Sequence, residues 1–433
     1  FSFRVPEKIE KAACLEICFF DFSADCYRKV QLAEKEREMK LTEETPFFFI
    51  YSVWTKNGEY REQVKRLVTD YDNYISLKLA GDDAYLSEKM VGYPAELDEV
   101  YAESFEEQKK EWFSCVGDGI QECRNTWEHK KWNITDFPEF ELAITIDRPE
   151  LYYDFLQKDW TRFCHDYWKN NFLEHHTLSQ KRVTRIYIGN QFCHNLFPRK
   201  ELLFQVLEKA LENNLAVTLA FSYIRNHLLE EIDELLQELE VWCQSREKEA
   251  GKDQEEIIVN DWAMPILLQG KPHLKPVLGV LLNKRRKDVR LPYKHGIGNH
   301  VDSLAENNLN CGFYQDYLKN TFDIQRFEFE SCGYKVTIPD GHHSLHLPFF
   351  QTNTSQYCTL YAVCRYGDRG KQKLPENCPR YCNKKVFLYP KHLKMVGRYN
   401  SLFGYDEKIL WDEKQLQDYL EQGIDRIVVN VSL

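Results

Sequence analysis

The chain is 433 residues long, and at 43% hydrophobic residues it can bury at least one sizeable core, with two domains the natural expectation. Its net charge of −11, from 57 Lys+Arg against 68 Asp+Glu, argues against nucleic acid as a partner over the whole surface, and no apolar run approaches the roughly 20 residues that span a bilayer. Fourteen cysteines at ordinary charge density point to a reducing compartment instead of a disulfide scaffold, so a soluble cytoplasmic protein, opening at Phe1 without a leader, is expected.

Residues 1–180 are rich in aromatic and acidic side chains. Runs such as Glu34-Lys35-Glu36-Arg37-Glu38 and Glu106-Glu107-Gln108-Lys109-Lys110 read as solvated helix faces. Strand candidates are Phe47–Tyr51 and Glu141–Ile146, the latter apolar without clean alternation. An acidic, α-rich α+β domain of unassigned role is expected here, with no chemistry-bearing motif.

From Arg182 the texture changes. Val183–Asn190 reads as a strand, and Leu202, Leu203, Val206, Leu207, Ala210 and Leu211 then recur at helical spacing. A strand at Ala216–Phe221 precedes a long helix through Leu228, Ile232, Leu235 and Leu239. Further strands are expected at Ile257–Asn260, Val277–Leu282, Gln325–Glu330 and Arg426–Asn430, with another where Met395–Ser401 falls. Six or more βα units in succession predict an α/β fold with a (β/α) barrel-like C-terminal domain over 181–433. Strands ending in Asn190, Asn260-Asp261, Asn283 and Asn430 would then place polar groups around the C-terminal mouth, where barrel chemistry sits.

Four cysteines crowd the segment Cys358-x5-Cys364-x13-Cys378-Pro-x2-Cys382, where even scatter would leave about one. Thiolates select zinc or iron–sulfur centres. A structural zinc site more usually shows two tight local pairs, whereas only Cys378 and Cys382 are close here, so a cluster fits the spacing better. Inert buried thiols are the third reading.

Two stretches carry a family resemblance. Arg185-Ile186-Tyr187-Ile188-Gly189-Asn190-Gln191-Phe192-Cys193 is similar to a strand of the form V-Y-L-G-x-x-x-C. Arg326-Phe327-Glu328-Phe329-Glu330, followed by His346-Leu347-Pro348 and then Cys364, Arg369, Cys378 and Cys382, is similar to a strand, a cysteine, an Arg-containing loop and a Cys-x3-Cys pair. Over about residues 182–431 the chain thereby resembles the peptidase family U32 of barrel proteins, most closely its iron–sulfur, oxygen-independent hydroxylases of ubiquinone synthesis. The resemblance implies a 4Fe-4S cluster on Cys193, Cys364, Cys378 and Cys382, with Cys358 or Cys332 as alternatives to Cys364. It further implies an oxidoreductase that hydroxylates or similarly modifies a small aromatic molecule, a nucleobase or a peptide, and a heterodimer with a related subunit. A U32-like peptidase and a non-catalytic subunit holding structural zinc are the alternatives. The polar connector 342–356 is longer than the family's, and the acidic N-terminal domain has no counterpart in it.

Other substrate-binding candidates are weighed from the residues alone. His343 and His346, with His342, suit hydrogen bonding or proton transfer near neutral pH, while a satisfied loop histidine is the plainer reading. Asn260 and Asp261 offer a carboxylate beside Trp262, although Asp261 equally suits a helix N-terminus. Lys284-Arg285-Arg286-Lys287 could hold an anion or simply be solvated. Arg398 and Asn400 fall where a barrel loop should be. No Walker loop, Gly-x-Gly-x-x-Gly, Gly-x-Ser-x-Gly or His-Glu-x-x-His occurs, and no catalytic residue is assigned.

Overall fold

A computed structural model describes residues 1–5, 8–9, 14–21, 26–44, 49–72, 74–80, 86–94, 102, 104–114, 137–250, 255–287, 289, 305–375, 377–389 and 391–432. These form two compact units, a smaller one drawn from Phe1–Lys78 and Leu86–Val100 and a larger one that takes in Tyr101–Val289 and His300–Leu433.

In the smaller unit, strands β1 (Ser2–Val5), β2 (Cys14–Asp21), β3 (Cys26–Ala33), β4 (Arg37–Glu44) and β5 (Phe49–Thr55) precede helix α1 (Gly58–Asp72). Strands β6 (Tyr74–Ala80) and β7 (Leu86–Pro94) follow. β5 pairs antiparallel with both β1 and β4, and β2 with β3. Leu32, Val53, Tyr60 and Val64 form its buried centre, covered by Phe3, Leu15, Val30 and Met39. Strand outweighs helix among these residues, where the sequence texture favours helix. The charged run at Glu34 explains the difference, since Glu34–Glu36 is one 3-10 turn leading into β4. There Arg37, Met39 and Leu41 are half-buried while Glu38, Lys40 and Thr42 are exposed, a period of two that suits a sheet with one wet face. The strand expected at Phe47–Tyr51 begins at Phe49; Phe47 and Phe48 lie outside the described residues.

The larger unit is a (β/α) barrel-like domain. After α2 (Phe105–Ser114), it runs through β8 (Glu141–Ile146), α3 (Pro149–Gln157), α4 (Trp160–Asn170), β9 (Arg185–Gly189), α5 (Lys200–Glu212), β10 (Ala216–Ala220) and α6 (Leu229–Ala250). It continues with β11 (Glu255–Val259), α7 (Ala263–Leu267), β12 (Leu274–Leu278), α8 (Gly312–Phe322), β13 (Glu328–Glu330) and β14 (His343–Leu347). β15 (Phe349–Thr354), α9 (Thr359–Tyr366), β16 (Val386–Leu388), β17 (Met395–Arg398), β18 (Ser401–Tyr405), α10 (Glu413–Glu421) and β19 (Ile424–Val429) complete it. Eight strands pair in parallel in the order β12-β11-β10-β9-β8-β19-β14-β13. The two edges meet where Leu278 bridges Phe327 and its N–H donates to the Arg326 carbonyl at 3.0 Å, leaving the barrel nearly closed.

Two of the eight strands are not foreseen as barrel strands. Glu141–Ile146 pairs with both β9 and β19, so the barrel begins ahead of the 181 boundary read from texture. Its lack of alternation follows from burial on both faces. The seventh strand is His343–Leu347, in the segment 342–356 read as a polar connector. Met395–Arg398 is instead part of an antiparallel insertion, β15-β18-β17-β16, carried between β14 and β19. Among the described residues no helix is long and apolar enough to cross a membrane.

The lumen is filled from the N-terminal end by charge and above it by apolar groups. Arg426, 2% exposed, donates to Glu141 at 2.6 Å and to both oxygens of Glu256 at 2.6 and 3.0 Å, and Arg185 reaches the same two carboxylates. Burial alone would raise the Glu256 carboxyl, but Arg185 and Arg426 outweigh it and hold the group down at about 2. Ala143, Tyr187, Ala220, Ile258, Val277 and Val428 pack the layer above.

Candidate functional site

The C-terminal mouth of the barrel is built from short polar turns that follow the strands. β9 ends at Gly189, whose φ of +108° favours glycine; a Cβ there would sit 2.6 Å from the Ala220 carbonyl and 2.7 Å from the Phe197 ring. Asn190 follows, 2% exposed, and its Oδ1 accepts the N–H groups of Phe192 and Cys193, each at 2.9 Å. That side chain turn fixes Cys193 above the strand.

Three further cysteines come from the insertion. Cys358 precedes α9; its Sγ accepts the Tyr361 N–H at 3.3 Å and donates to the Tyr399 carbonyl at 3.0 Å. Cys382 lies in the turn Tyr381–Asn383, and its carbonyl accepts Arg398 Nε at 3.3 Å. Cys378 stands just before it. All four are free thiols, and each pair among Cys193, Cys358, Cys378 and Cys382 is close enough for the charge of one to act on another. Burial pushes the Cys193 thiol up to about 11 and Cys382 to about 12, with neighbouring cysteines adding to it; Cys358 is raised further by burial and then by Cys193.

Cys193, Cys358 and Cys382, whose thiols are raised chiefly by burial and secondarily by neighbouring cysteines, stand with Cys378 as a donor set that a cation would relieve, because a thiophilic metal takes the deprotonated sulfur. The chemistry of the set therefore fits an iron–sulfur or zinc centre. Among the described residues, no three His, Cys, Asp or Glu side chains are grouped as ligands of a single metal ion, so the set is looser than a mononuclear shell.

Cys364, nominated with Cys193, Cys378 and Cys382, is on the last turn of α9, whereas the thiol just ahead of that helix, Cys358, feels the charges of Cys193, Cys382 and Cys378. Cys332, the other spare, accepts from Arg285 Nη1 at 2.8 Å beyond β13.

The nominated polar residues divide into two kinds. Several build the mouth. Asn400 donates to the Ser355 carbonyl at 2.6 Å and to Tyr223 Oη at 3.0 Å, pinning the chain just ahead of Cys358. Arg398, 6% exposed, braces Cys382. Asn260 ties three loops, donating to the Phe221 carbonyl at 2.7 Å and to Gln191 at 3.3 Å and accepting from Leu281 N at 3.1 Å. Asp261 accepts from Ala263 N at 2.8 Å at the start of α7 and also from Ile224 N, which is the structural role weighed for it. His343 does not reach the mouth. Its ring stacks on Phe327 at 4.8 Å and its Nδ1 accepts the Phe327 N–H.

His346 is the histidine that matters for the lumen. It is 3% exposed, lies 2.5 Å from Glu328 through Nε2, and meets Tyr187 edge to face. With Thr145, Asp147, Asn190, Glu330 and Tyr399 it lines a cavity of about 40 Å³ at the mouth. Two walls of that cavity belong equally to the cysteine set, since Asn190 holds Cys193 and the Tyr399 carbonyl accepts from Cys358. A groove of about 1230 Å³ runs past Cys378, His194, Tyr223 and Arg380. A third space, about 540 Å³, is lined by Asn260, Asn283, Lys284, Arg285, Lys287 and Gln351. Lys287 is not a solvated loop cation. Burial lowers its pKa, and it pairs with Glu330 while Gln351 accepts from it at 3.3 Å.

Asp147, Tyr187, Glu328, Glu330 and Tyr399 escaped sequence reasoning. Asp147 was findable by the rule that nominated Asn190, because it directly follows a barrel strand; its Oδ1 is buried without a hydrogen-bond partner among the described residues, and Tyr399 donates to Oδ2 at 3.3 Å. Comparison of the chain with protein-family models, curated proteins and solved structures gave no match.

Proposed function

We propose that this chain is an iron–sulfur redox enzyme of the U32-like type, with Cys193, Cys358, Cys378 and Cys382 as cluster ligands. The observation that carries the reading is the convergence of these four free thiols, from the β9 loop and from the insertion after β14, on the C-terminal face of the barrel. When bound, a 4Fe-4S cluster supplies electron transfer or a Lewis-acidic iron. The chain's own residues supply the rest. Asn190, Asn400 and Arg398 hold the loops that present the sulfurs. His346, backed by Glu328, offers a ring to the mouth cavity, and Asp147 and Tyr399 offer hydrogen-bonding groups to a ligand there. The substrate class remains that of the resemblance, a small aromatic molecule, a nucleobase or a peptide, and the reaction an oxygen-independent hydroxylation or related modification.

The test is iron and acid-labile sulfide content, with an absorption spectrum, on protein purified without oxygen. About four irons per chain, lost in a Cys378→Ala/Cys382→Ala variant, is the expected result. Zinc at one per chain with no iron would remove the redox reading and leave a zinc-stabilised binding protein.

A further inference from the structure

Cations follow barrel strand β12, and the chemistry proposed at the cysteines gives them no role. Lys284, Arg285 and Lys287 line the space of about 540 Å³ beside the mouth, and no acidic side chain among the described residues lines it with them. Lys287 is neutralised by Glu330, which pairs with it. The other oxygen of that carboxylate is spent on the Gln351 N–H at 2.7 Å. Lys284 is exposed and Arg285 half-buried, and among the described residues neither forms a salt bridge.

Arg285 has charge and donors to spare. Its Nη1 donates to Cys332 Sγ at 2.8 Å and its Nη2 to the Glu330 carbonyl at 2.5 Å. Both acceptors are neutral, since burial raises the Cys332 thiol above its ordinary value. The second hydrogens of both terminal nitrogens are left over, and Nε is buried with no partner among the described residues. Asn283, 3% exposed and lining the same space, has an Oδ1 in the same condition. Buried polar groups are ordinarily paired, and a cation withdrawn from water without an anion is costly. A guanidinium facing a cavity without acids suits the paired oxygens of a carboxylate or a phosphate.

Size and position indicate what such an anion belongs to. The space is far larger than an oxyanion and falls in the range of small-molecule sites. Val280, Leu281 and Tyr223 give it an apolar wall, and Val280 also lines the cavity that holds His346, so the two spaces share a side. We propose that this space is the oxyanion subsite for the ligand of the barrel mouth. Arg285 and Lys284 take a carboxylate or phosphate group, and the body of the ligand lies along Val280 toward His346. The substrate is thereby narrowed to a small molecule that carries an oxyanion. The inference rests on the mouth being the substrate site, but not on which metal the cysteines hold.

The experiment titrates inorganic phosphate and acetate, separately, into the whole chain as purified, by calorimetry at about 0.1 M chloride, where diffuse attraction to surface cations is screened. Saturable binding at about one anion per chain is expected. Lys284→Ala should weaken it about threefold to fivefold, and Arg285→Lys, which keeps the charge and loses the fork, about tenfold. Arg286→Ala removes the same charge from an exposed residue outside the cavity lining and should change it less than about twofold. Phosphate binding tighter than acetate assigns a phosphate ester as the ligand, the reverse a carboxylate, and either supports the subsite. No saturable binding of either anion, or equal weakening in Lys284→Ala and Arg286→Ala, would overturn it. If Arg285→Lys does not fold, the two variants at exposed positions decide. The titration needs no metal, so loss of the iron–sulfur reading by metal analysis and loss of the subsite are separate outcomes.

Discussion

The backbone N–H of Cys193 is bound to Asn190 Oδ1 at 2.9 Å, so the cysteine at the barrel mouth is positioned by the residue that ends its strand. The same oxygen also holds Phe192, and the asparagine's Nδ2 donates to the Asp147 carbonyl at 3.3 Å, which links the β8 and β9 loops. Asn190→Ala should therefore lose about 1–3 kcal/mol of stability in urea denaturation, the range for leaving buried hydrogen-bonding groups unsatisfied. Its metal content should fall with it. Unchanged stability would mean that the turn holds without the side chain.

The two cysteines bracketing α9 should behave differently. Cys358→Ser is expected to reduce iron content severely, and Cys364→Ser to leave it near that of the parent, as read by iron analysis on anaerobically purified protein. The reverse outcome would restore Cys364 to the ligand set.

At the opposite end of the barrel, Arg426, buried itself, neutralises the largely buried Glu256 and the partly exposed Glu141. Arg426→Ala should cost about 3–5 kcal/mol, because removal of one partner strands buried charge. Chemical denaturation measures this, and a cost under about 1 kcal/mol would show that water or rearrangement replaces the guanidinium.

Acid should weaken the fold in two stages. His176 is buried, its Nδ1 accepts the Leu178 N–H at 3.1 Å and its Nε2 donates to the Leu410 carbonyl at 2.7 Å, so both ring nitrogens are used by the neutral form. Burial lowers its pKa to about 4, and His343 is lowered likewise to about 4. A folded pKa below the unfolded value of about 6.5 gives stability that is complete above that pH and is lost as pH falls toward 4, on the order of 3 kcal/mol for His176. Glu256, held at about 2, adds a second loss below about pH 4.3. The melting temperature should thus fall between pH 6.5 and 4.5, and less steeply in His176→Gln.

The alternation of apolar strand and amphipathic helix from Arg182 onward was enough to reveal the barrel, because each βα unit writes its own periodicity into the chain. Clustered cysteines and the polar residue closing β9 were equally local signals. β8 was legible as a strand but not as the first strand of the barrel, because pairing across the 181 boundary leaves no local mark, and β14 was missed because it is short, buried on both faces and hemmed by Gly341 and Pro348. The antiparallel insertion was missed because Met395–Arg398 has the same local pattern whichever sheet it joins. What tertiary structure alone decided is which groups meet. Cys358 comes near Cys193 with the chain ahead of α9 pinned by Asn400 and Tyr223, residues far apart in sequence. Lys109 lies beside Asn171 and Val431 for the same kind of reason. A chain's local pattern specifies its elements, but burial and the pairing of charges act between elements, and their outcome exists only once the elements pack.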